Sequence, residues 1–302
     1  MATEKQLNRY SAIATSLVEA RHNPLSECHY KFLSPVEKLG EYKTHAPWKV
    51  CRCPALTVRL MDIINESGKS EKPIFKKIVK KGGIHAFLGF EGNIILSSIM
   101  PDKAIYGMTP ERHTAIINAI KPDYYFTPDG ETYTDETNLS GTIEIPRMLE
   151  ESKILLDNVE RAKAIGLVKG CNLEQIKSYT NSLSIMGVKD FVFHTGDFLA
   201  RGSNAEIEKA KTFTKEIRRQ ARVLLLYGIG TSFKNFWWAD GFITQSHYIN
   251  AFFGQEMTND GWADKGNKTA NRKTIMANLE KLDGLLIAMQ QGKNIVDWGN
   301  EK

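Results

Sequence analysis

Short apolar runs alternate with longer amphipathic stretches from residue 94 onward, and this alternation restricts the possible folds more than any other feature of the chain. Continuous apolar runs predict strands, and apolar residues spaced three and four apart predict helices. Strands that alternate with helices are typical of a parallel α/β fold. The predicted strands are 94–96, 124–127, 165–168, 191–193, 223–227 and 241–244, and the predicted helices are 110–120, 145–164, 173–186 and 205–223.

The number of these units predicts a barrel rather than an open sheet. The six strands, with a weaker run over 55–64, approach the eight strand–helix units of a (β/α)8 TIM-type barrel. No repeat or linker divides the chain, so we expect one α/β domain over residues 1–302. Residues 1–50 are expected to form an N-terminal extension and 255–302 a C-terminal helical tail. Amphipathic spacing predicts helices over 4–21 and 274–293, packed on the outside of the barrel.

Composition excludes several classes of protein. Of the 302 residues, 42% are hydrophobic and 25% charged, as in compact globular proteins. The sequence has neither an apolar run long enough to span a bilayer nor a secretion signal at its start, so we expect a cytoplasmic protein without membrane contact. The net charge of +5 is compatible with a polyanionic partner but does not require one.

Polar residues follow several of the predicted strands. Asp129, Lys169, His194 and Asp197 stand just after such runs, and Tyr227 closes one of them. In a (β/α)8 barrel the carboxyl ends of all strands meet at one mouth, where the active sites of these enzymes lie. The alternative interpretation is that chains simply become polar where strands end. Because several independent strands end in this way, we expect a shared pocket.

Two basic clusters are candidates for contact with phosphate groups. The segment 74–83 places Lys76, Lys77, Lys80 and Lys81 on one face of a predicted helix and apolar residues on the other. A second cluster comprises Lys215, Arg218, Arg219 and Arg222. Ammonium and guanidinium groups so arranged suit a nucleic-acid backbone, whereas a solvated helix face is the alternative for both clusters.

The sequence gives no firm sign of a metal or a cofactor. Cys28, Cys51 and Cys53 lie near three histidines, but their spacing matches no standard zinc motif, so buried free thiols are the preferred interpretation. Gly228 and Gly230 follow an apolar strand as in a dinucleotide fingerprint, yet Phe233 occupies the place of the third glycine. We therefore expect neither a metal nor a cofactor.

Several segments, in order, resemble the tRNA-guanine transglycosylases. Residues 82–97 are similar to the family's G-G-L-H-x-F-x-x-W-x-x-P-I-L-T-D, and residues 109–129 to its [ST]-P-E-x-S-x-x-I-Q-x-x-L-x-x-D-I-x-M-x-F-D. Further on, residues 167–170 match I-V-Q-G, 195–197 lie near G-G-L, 226–230 match L-M-G-V-G, and Asp240 falls where the M-F-D nucleophile stands. The resemblance covers about residues 70–255. Without it, Asp240 would fit a turn or a helix cap equally well.

The resemblance implies a (β/α)8 barrel that exchanges guanine in a nucleic acid for a 7-deazaguanine. Asp240 would attack C1′ of the sugar to form a covalent intermediate, as in retaining glycosidases. The target base would have to leave its stack. Asp129 would bind the purine edge and Tyr227 its face, with Gly196 and Asp197 near an exocyclic group and Lys169 in place of the family's glutamine.

Three departures from the family pattern shape the expected substrate. The acid/base aspartate aligns with Ser97 or Ser98, so Asp102 is the candidate proton donor. The zinc site after the nucleophile is missing, and so is an RNA-binding domain. A short chain of this kind most resembles the phage-type DNA-guanine transglycosylases, which implies DNA as partner and the host cytoplasm as location.

Other functions stay open at this stage. They are a tRNA-guanine transglycosylase, a non-catalytic nucleic-acid-binding partner subunit of that family, and a sugar hydrolase that uses Asp129 and Asp240 as its two carboxylates. A homodimer is also left open.

Overall fold

The computed structural model describes residues 24–28, 30–40, 50–51, 53–132, 138–200, 203–258, 261–264 and 272–291. Its centre is a closed barrel of eight parallel strands in sequence order, surrounded by helices, which confirms the predicted (β/α)8 architecture. The strands are β1 (Phe32–Glu37), β2 (Ala55–Arg59), β3 (Asn93–Ser97), β4 (Tyr124–Phe126), β5 (Lys163–Val168), β6 (Asp190–His194), β7 (Val223–Tyr227) and β8 (Gly241–Thr244). Pairing of β1 with β8 closes the barrel.

Helices follow most of the strands. They are α1 (Pro73–Lys80), α2 (Ile84–Leu88), α3 (Asp102–Ile105), α4 (Pro110–Ile120), α5 (Asn138–Asn158), α6 (Leu173–Ile185), α7 (Gly196–Ala200), α8 (Asn204–Arg218), α9 (Ser246–Phe252) and α10 (Arg272–Gln290). Side chains of Thr109, Asn172 and Ser203 cap the starts of α4, α6 and α8 by accepting a backbone N–H three residues on. These caps explain why three helices begin within one residue of their predicted starts.

Residues alternate between the inside and the outside of the barrel along each strand. One buried cluster fills the interior, and it includes Phe32, Val36, Ala55, Ile95, Phe126, Ile165, Leu167, Val192, Leu225, Tyr227 and Ile243. Their neighbours on the strands belong to the cluster beneath the helices, as Leu33, Leu56, Leu96, Phe193 and Phe242 do. The interior is therefore packed, and ligands must approach from an end of the barrel.

The structure corrects both predicted terminal boundaries. Residues 32–37, placed by the sequence in an extension, form β1 and complete the barrel between β2 and β8. The predicted helical tail includes a two-stranded antiparallel sheet, β9 (Gln255–Thr258) and β10 (Gly261–Asp264), before α10 begins. A strand such as β1, with proline and glutamate inside it, lacks the apolar run that reveals the other strands.

The C-terminal helix packs on the outside of the barrel, as predicted. α10 contacts β1, α9 and β9, and Leu279, Leu282 and Leu286 on it are fully buried in the outer cluster. The predicted helix over 4–21 lies outside the described residues. No helix in the described ranges is both long and apolar enough to cross a membrane.

Candidate functional site

The carboxyl ends of the eight strands form one mouth because all strands run in the same direction. Arg59, Ser97, His194 and Tyr227 are the last residues of β2, β3, β6 and β7. Lys169 directly follows β5, and Asp129 follows β4 by three residues. The mouth thus brings together residues that are up to 168 positions apart in sequence, which is the convergence that the sequence predicted.

Asp129 is held rigidly at this mouth by an ion pair with Lys169. The Asp129 Oδ1 to Lys169 Nζ distance is 3.0 Å, and the two side chains are 3% and 13% exposed. The backbone N–H groups of Met100 and Gly130 donate to the two carboxylate oxygens at 3.1 and 2.9 Å. Arg147 donates to the Asp129 carbonyl at 3.0 Å. With so many donors, the carboxylate has one orientation, which suits it to recognise a ligand edge.

Tyr227 is a buried aromatic residue that ends β7 at the mouth. Its ring lies edge-to-face against Phe126, at 6.5 Å, and against His194, at 5.4 Å. Burial raises the pKa of Tyr227 to about 12; the positive charge of Arg59 opposes this shift, and the carboxylates of Asp62 and Asp129 add to it. The phenol therefore keeps its proton at neutral pH, and its hydroxyl is available as a donor.

Two glycines allow the loops after β6 and β7 to meet. A Cβ on Gly196 would lie 2.8 Å from Nε2 of His194, and a Cβ on Gly228 would lie 3.1 Å from the Gly196 Cα. Gly228 also has a φ of +80°, which side-chain-bearing residues rarely adopt. Thr195 fixes the same contact, since its N–H and its hydroxyl both donate to the Tyr227 carbonyl. The Gly196 backbone is thus placed beside His194.

The other residues predicted at the mouth are two serines bonded to the backbone and two aspartates. Ser97 is fully buried, and its Oγ accepts from the Ile99 N–H at 3.3 Å. Ser98 donates to the Thr127 carbonyl at 2.6 Å. Asp102 begins α3 on the loop that follows β3, where it is partly exposed. Asp197 lies in α7, and its side chain is outside the described part of the chain.

Asp240 is not at the mouth, so the predicted placement of the nucleophile is wrong. Asp240 directly precedes β8 and therefore lies at the amino-terminal end of the barrel. Its Oδ2 accepts from the Leu224 N–H at 2.8 Å and pairs with Arg218 at 3.2 Å. The four residues of β8 separate it from the mouth, which is about 13 Å of strand. Asp129 follows β4 at the mouth, so the two carboxylates lie at opposite ends of the barrel and do not form the predicted hydrolase pair.

Asp240 instead acts as a turn residue that joins three strands. Its main-chain N–H donates to Leu224 of β7 at 2.9 Å, and its carbonyl accepts from Phe32 of β1 at 3.3 Å. The carboxyl end of β8, where a nucleophile would stand, carries Thr244 and then Gln245. The family motif aligned Asp240 with the nucleophile, but Asp240 stands before β8 rather than after it and so cannot lie at the mouth.

The mouth contains two residues that the sequence analysis did not select. Arg59 ends β2, and Asp62 lies one turn later in a 3-10 helix. Arg59 donates to Asp62 from Nη2 at 2.6 Å and from Nε at 3.4 Å. The Asp62 side chain is 16% exposed. The sequence shows 55–64 as one weak run, and Arg59 and Asp62 lie inside it, so the rule of polar strand ends could not find them until the structure ended β2 at Arg59.

The two basic clusters differ in the structure. Lys76, Lys77, Lys80 and Lys81 are all exposed on and just after α1. The second cluster has structural partners: Arg218 pairs with Asp240, Arg219 with Glu216 and Arg222 with Asp190, and Lys215 lies 4.8 Å from the centre of the Trp238 ring. Only the first cluster therefore stays a candidate for contact with phosphates.

The described cysteines are free thiols. Cys51 and Cys53 are buried, and Cys53 donates to the Ala55 carbonyl. Burial and the nearby Glu27 raise the pKa of Cys28 to about 11. Across the described ranges, no three His, Cys, Asp or Glu side chains are grouped so that they could hold a metal ion. The three histidines that the sequence placed near these cysteines, His22, His29 and His45, lie outside those ranges.

No protein-family model matches the chain, and no curated protein matches it significantly. The resemblance to the transglycosylases therefore rests on the ordered sequence motifs alone.

Replacing Asp240 tests its assignment as a structural residue. Asp240→Asn is expected to lower the free energy of unfolding by about 1 kcal/mol, because the neutral amide loses the Arg218 pair and weakens the bond to Leu224. Urea denaturation measures this change. Ligand binding at the mouth should be unaffected. Unchanged stability together with lost ligand binding would contradict the assignment.

Proposed function

We propose that the barrel mouth binds a guanine-type base extruded from DNA and that the protein exchanges this base for a 7-deazaguanine. The observation that carries the proposal is the buried Asp129–Lys169 pair beside Tyr227. A fixed carboxylate next to an aromatic ring offers an acceptor for the N–H edge of a purine and a surface for its face. The motifs that resemble the transglycosylases supply the reaction class.

A purine in this site would contact several fixed groups. Its Watson–Crick edge would donate to Asp129, and Lys169 beside that carboxylate would donate to a carbonyl oxygen. The Gly196 backbone would meet the remaining exocyclic group. Because the carboxylate and the ammonium are held in fixed positions by each other and by the backbone, a ligand whose polar groups do not match them would lose its own hydrogen bonds to water without replacement and bind weakly.

Since Asp240 lies at the far end of the barrel, we assign the attack on the sugar to Asp62. Asp62 and Asp129 are the two carboxylates whose charges affect Tyr227. Two backbone N–H groups and Lys169 occupy Asp129, whereas Asp62 is partly exposed and is oriented by Arg59. In the proposed reaction an Asp62 oxygen bonds to C1′ as the bond from C1′ to the guanine nitrogen breaks. The incoming deazaguanine then displaces the carboxylate with retained stereochemistry.

The departing guanine needs a proton, and Asp102 remains the proposed donor; the Asp102 carboxylate then accepts the proton that the incoming deazaguanine loses from the nitrogen that bonds to C1′. It lies two residues after Met100, whose N–H binds Asp129. Ser97 and Ser98 are not proposed for this role, because a serine hydroxyl is a poor proton donor and both are engaged with the backbone.

A second candidate function is a barrel that binds the base without catalysis. The specific observation in its favour is that β3 and β8 end in Ser97 and Thr244 rather than in carboxylates. Such a subunit would retain the Asp129 site and bind a nucleic acid for a catalytic partner. The two candidates differ only in whether labelled base enters the polymer.

Incorporation of labelled 7-deazaguanine separates these functions. Incubation with DNA should leave label in the polymer, and tRNA in a parallel reaction should remain unlabelled. Asp129→Ala is expected to weaken base binding by about 10- to 100-fold, because the purine edge loses a charged acceptor. Asp62→Asn should abolish incorporation while base binding persists. Asp240→Asn, a carboxylate change at the other end of the barrel, serves as the matched control and should retain activity.

Three outcomes would contradict parts of this proposal. Label in tRNA alone would favour the tRNA enzyme. Base binding without label in either polymer would favour the non-catalytic subunit. Full activity of Asp62→Asn would remove Asp62 as the nucleophile.

The basic face of α1, formed by Lys76, Lys77, Lys80 and Lys81, tests the assignment of DNA as partner. If these lysines contact phosphates, replacing all four with glutamine should reduce the log–log salt slope of DNA binding by up to about four. Sequence preference should change little, since phosphate contacts do not read bases. Fluorescence anisotropy at several salt concentrations measures both. A parental affinity and slope would show that the face is merely solvated.

A further inference from the structure

A cleft of about 360 Å³ opens at the mouth beside the proposed base site. It lies over the ends of β1, β2 and β8 and is bounded by α9. Its volume falls within the range of small-molecule sites, roughly 300–1,000 Å³. None of the residues to which we assigned the base or the chemistry lines it, except Arg59, so it needs a separate explanation.

The cleft combines aromatic rings with positive charge. Tyr248, Phe252 and Phe253 line the cleft together with Lys38 and Arg59. Phe252 and Phe253 are 55% and 58% exposed, with ring centres 5.7 Å apart. Exposed aromatic side chains at the edge of a basic groove are the usual surface for stacking the bases of single-stranded nucleic acids.

Arg59 connects the cleft to the base site. Its side chain lies within electrostatic range of both Tyr227, the last residue of β7, and Tyr248 in the cleft. Lys38 lies farther along the cleft, 3.5 Å from the centre of the Tyr248 ring. Two cations in one cleft beside the base site offer contacts for the sugar–phosphate backbone of an extruded nucleotide.

We propose that this cleft binds the nucleotide that flanks the target base in an unpaired DNA strand. The flanking base stacks on Phe252 or Phe253, and Arg59 and Lys38 contact the phosphates on either side of its sugar. The proposal deepens the proposed function and rests on it for the position of the target base. It also explains how two large apolar side chains are kept on the surface at the mouth of the barrel.

Paired binding measurements test the cleft. The probes are a fluorescein-labelled single-stranded DNA 12-mer and free guanine, and the variant is Phe252→Ala/Phe253→Ala. Oligonucleotide affinity should fall about ten-fold or more because the stacking surface is lost, whereas affinity for free guanine should not change. Trp237→Ala is the matched control: Trp237 is 67% exposed but precedes β8 at the opposite end of the barrel, so oligonucleotide affinity should remain parental.

A second variant tests the charge in the cleft. Lys38→Gln should lower the log–log salt slope of oligonucleotide binding by about 0.7, the value for one phosphate contact on a single strand. Parental oligonucleotide affinity of the double phenylalanine variant would overturn the proposal, and so would an equal loss of guanine and oligonucleotide binding. Failure of base exchange is a different result. If label never enters DNA but oligonucleotide affinity still depends on Phe252 and Phe253, the cleft is supported as a binding site for single-stranded DNA and the proposed exchange reaction is contradicted.

Discussion

The pairing of β1 with β8 closes the barrel, and every statement about the site depends on this closure. Phe32, Leu33, Ser34 and Pro35 pair in parallel register with residues 241–244, so eight carboxyl ends surround one opening. Side chains on adjacent strands then converge, and side chains at the two ends of one strand are kept apart. This constraint brings Asp129 and Tyr227 together at the mouth and keeps Asp240 at the opposite end of the barrel.

Burial of the Asp129–Lys169 pair has a cost that folding must offset. Two charged groups removed from water are stabilised only if their partners are well placed, and removing one partner of such a pair typically costs about 3–5 kcal/mol. Here two backbone N–H groups complete the coordination of the carboxylate. An apolar pair would fill the same space without that cost, and a pair kept at the mouth of a TIM-type barrel is best explained by what it binds.

The sequence predicts most of the fold because buried parallel strands are continuous apolar runs. It places β7 and β8 at their observed bounds, and it misses β1 because Ser34, Pro35 and Glu37 interrupt the pattern. The site is predicted less well. Asp129 and Lys169 follow recognisable strands and Tyr227 ends one, whereas the family motif assigns Asp240 to the mouth although the predicted strand 241–244 already puts it before β8. Arg59 and Asp62 follow a strand whose end the sequence did not define.

The location of a bound base tests the central claim most directly. A crystal structure of the protein with 7-deazaguanine is predicted to show the base at the carboxyl ends of the strands, its N–H edge within hydrogen-bond distance of Asp129 and its ring against Tyr227. A base bound elsewhere, or a mouth that stays empty at saturating ligand while the base binds in solution, would contradict the account.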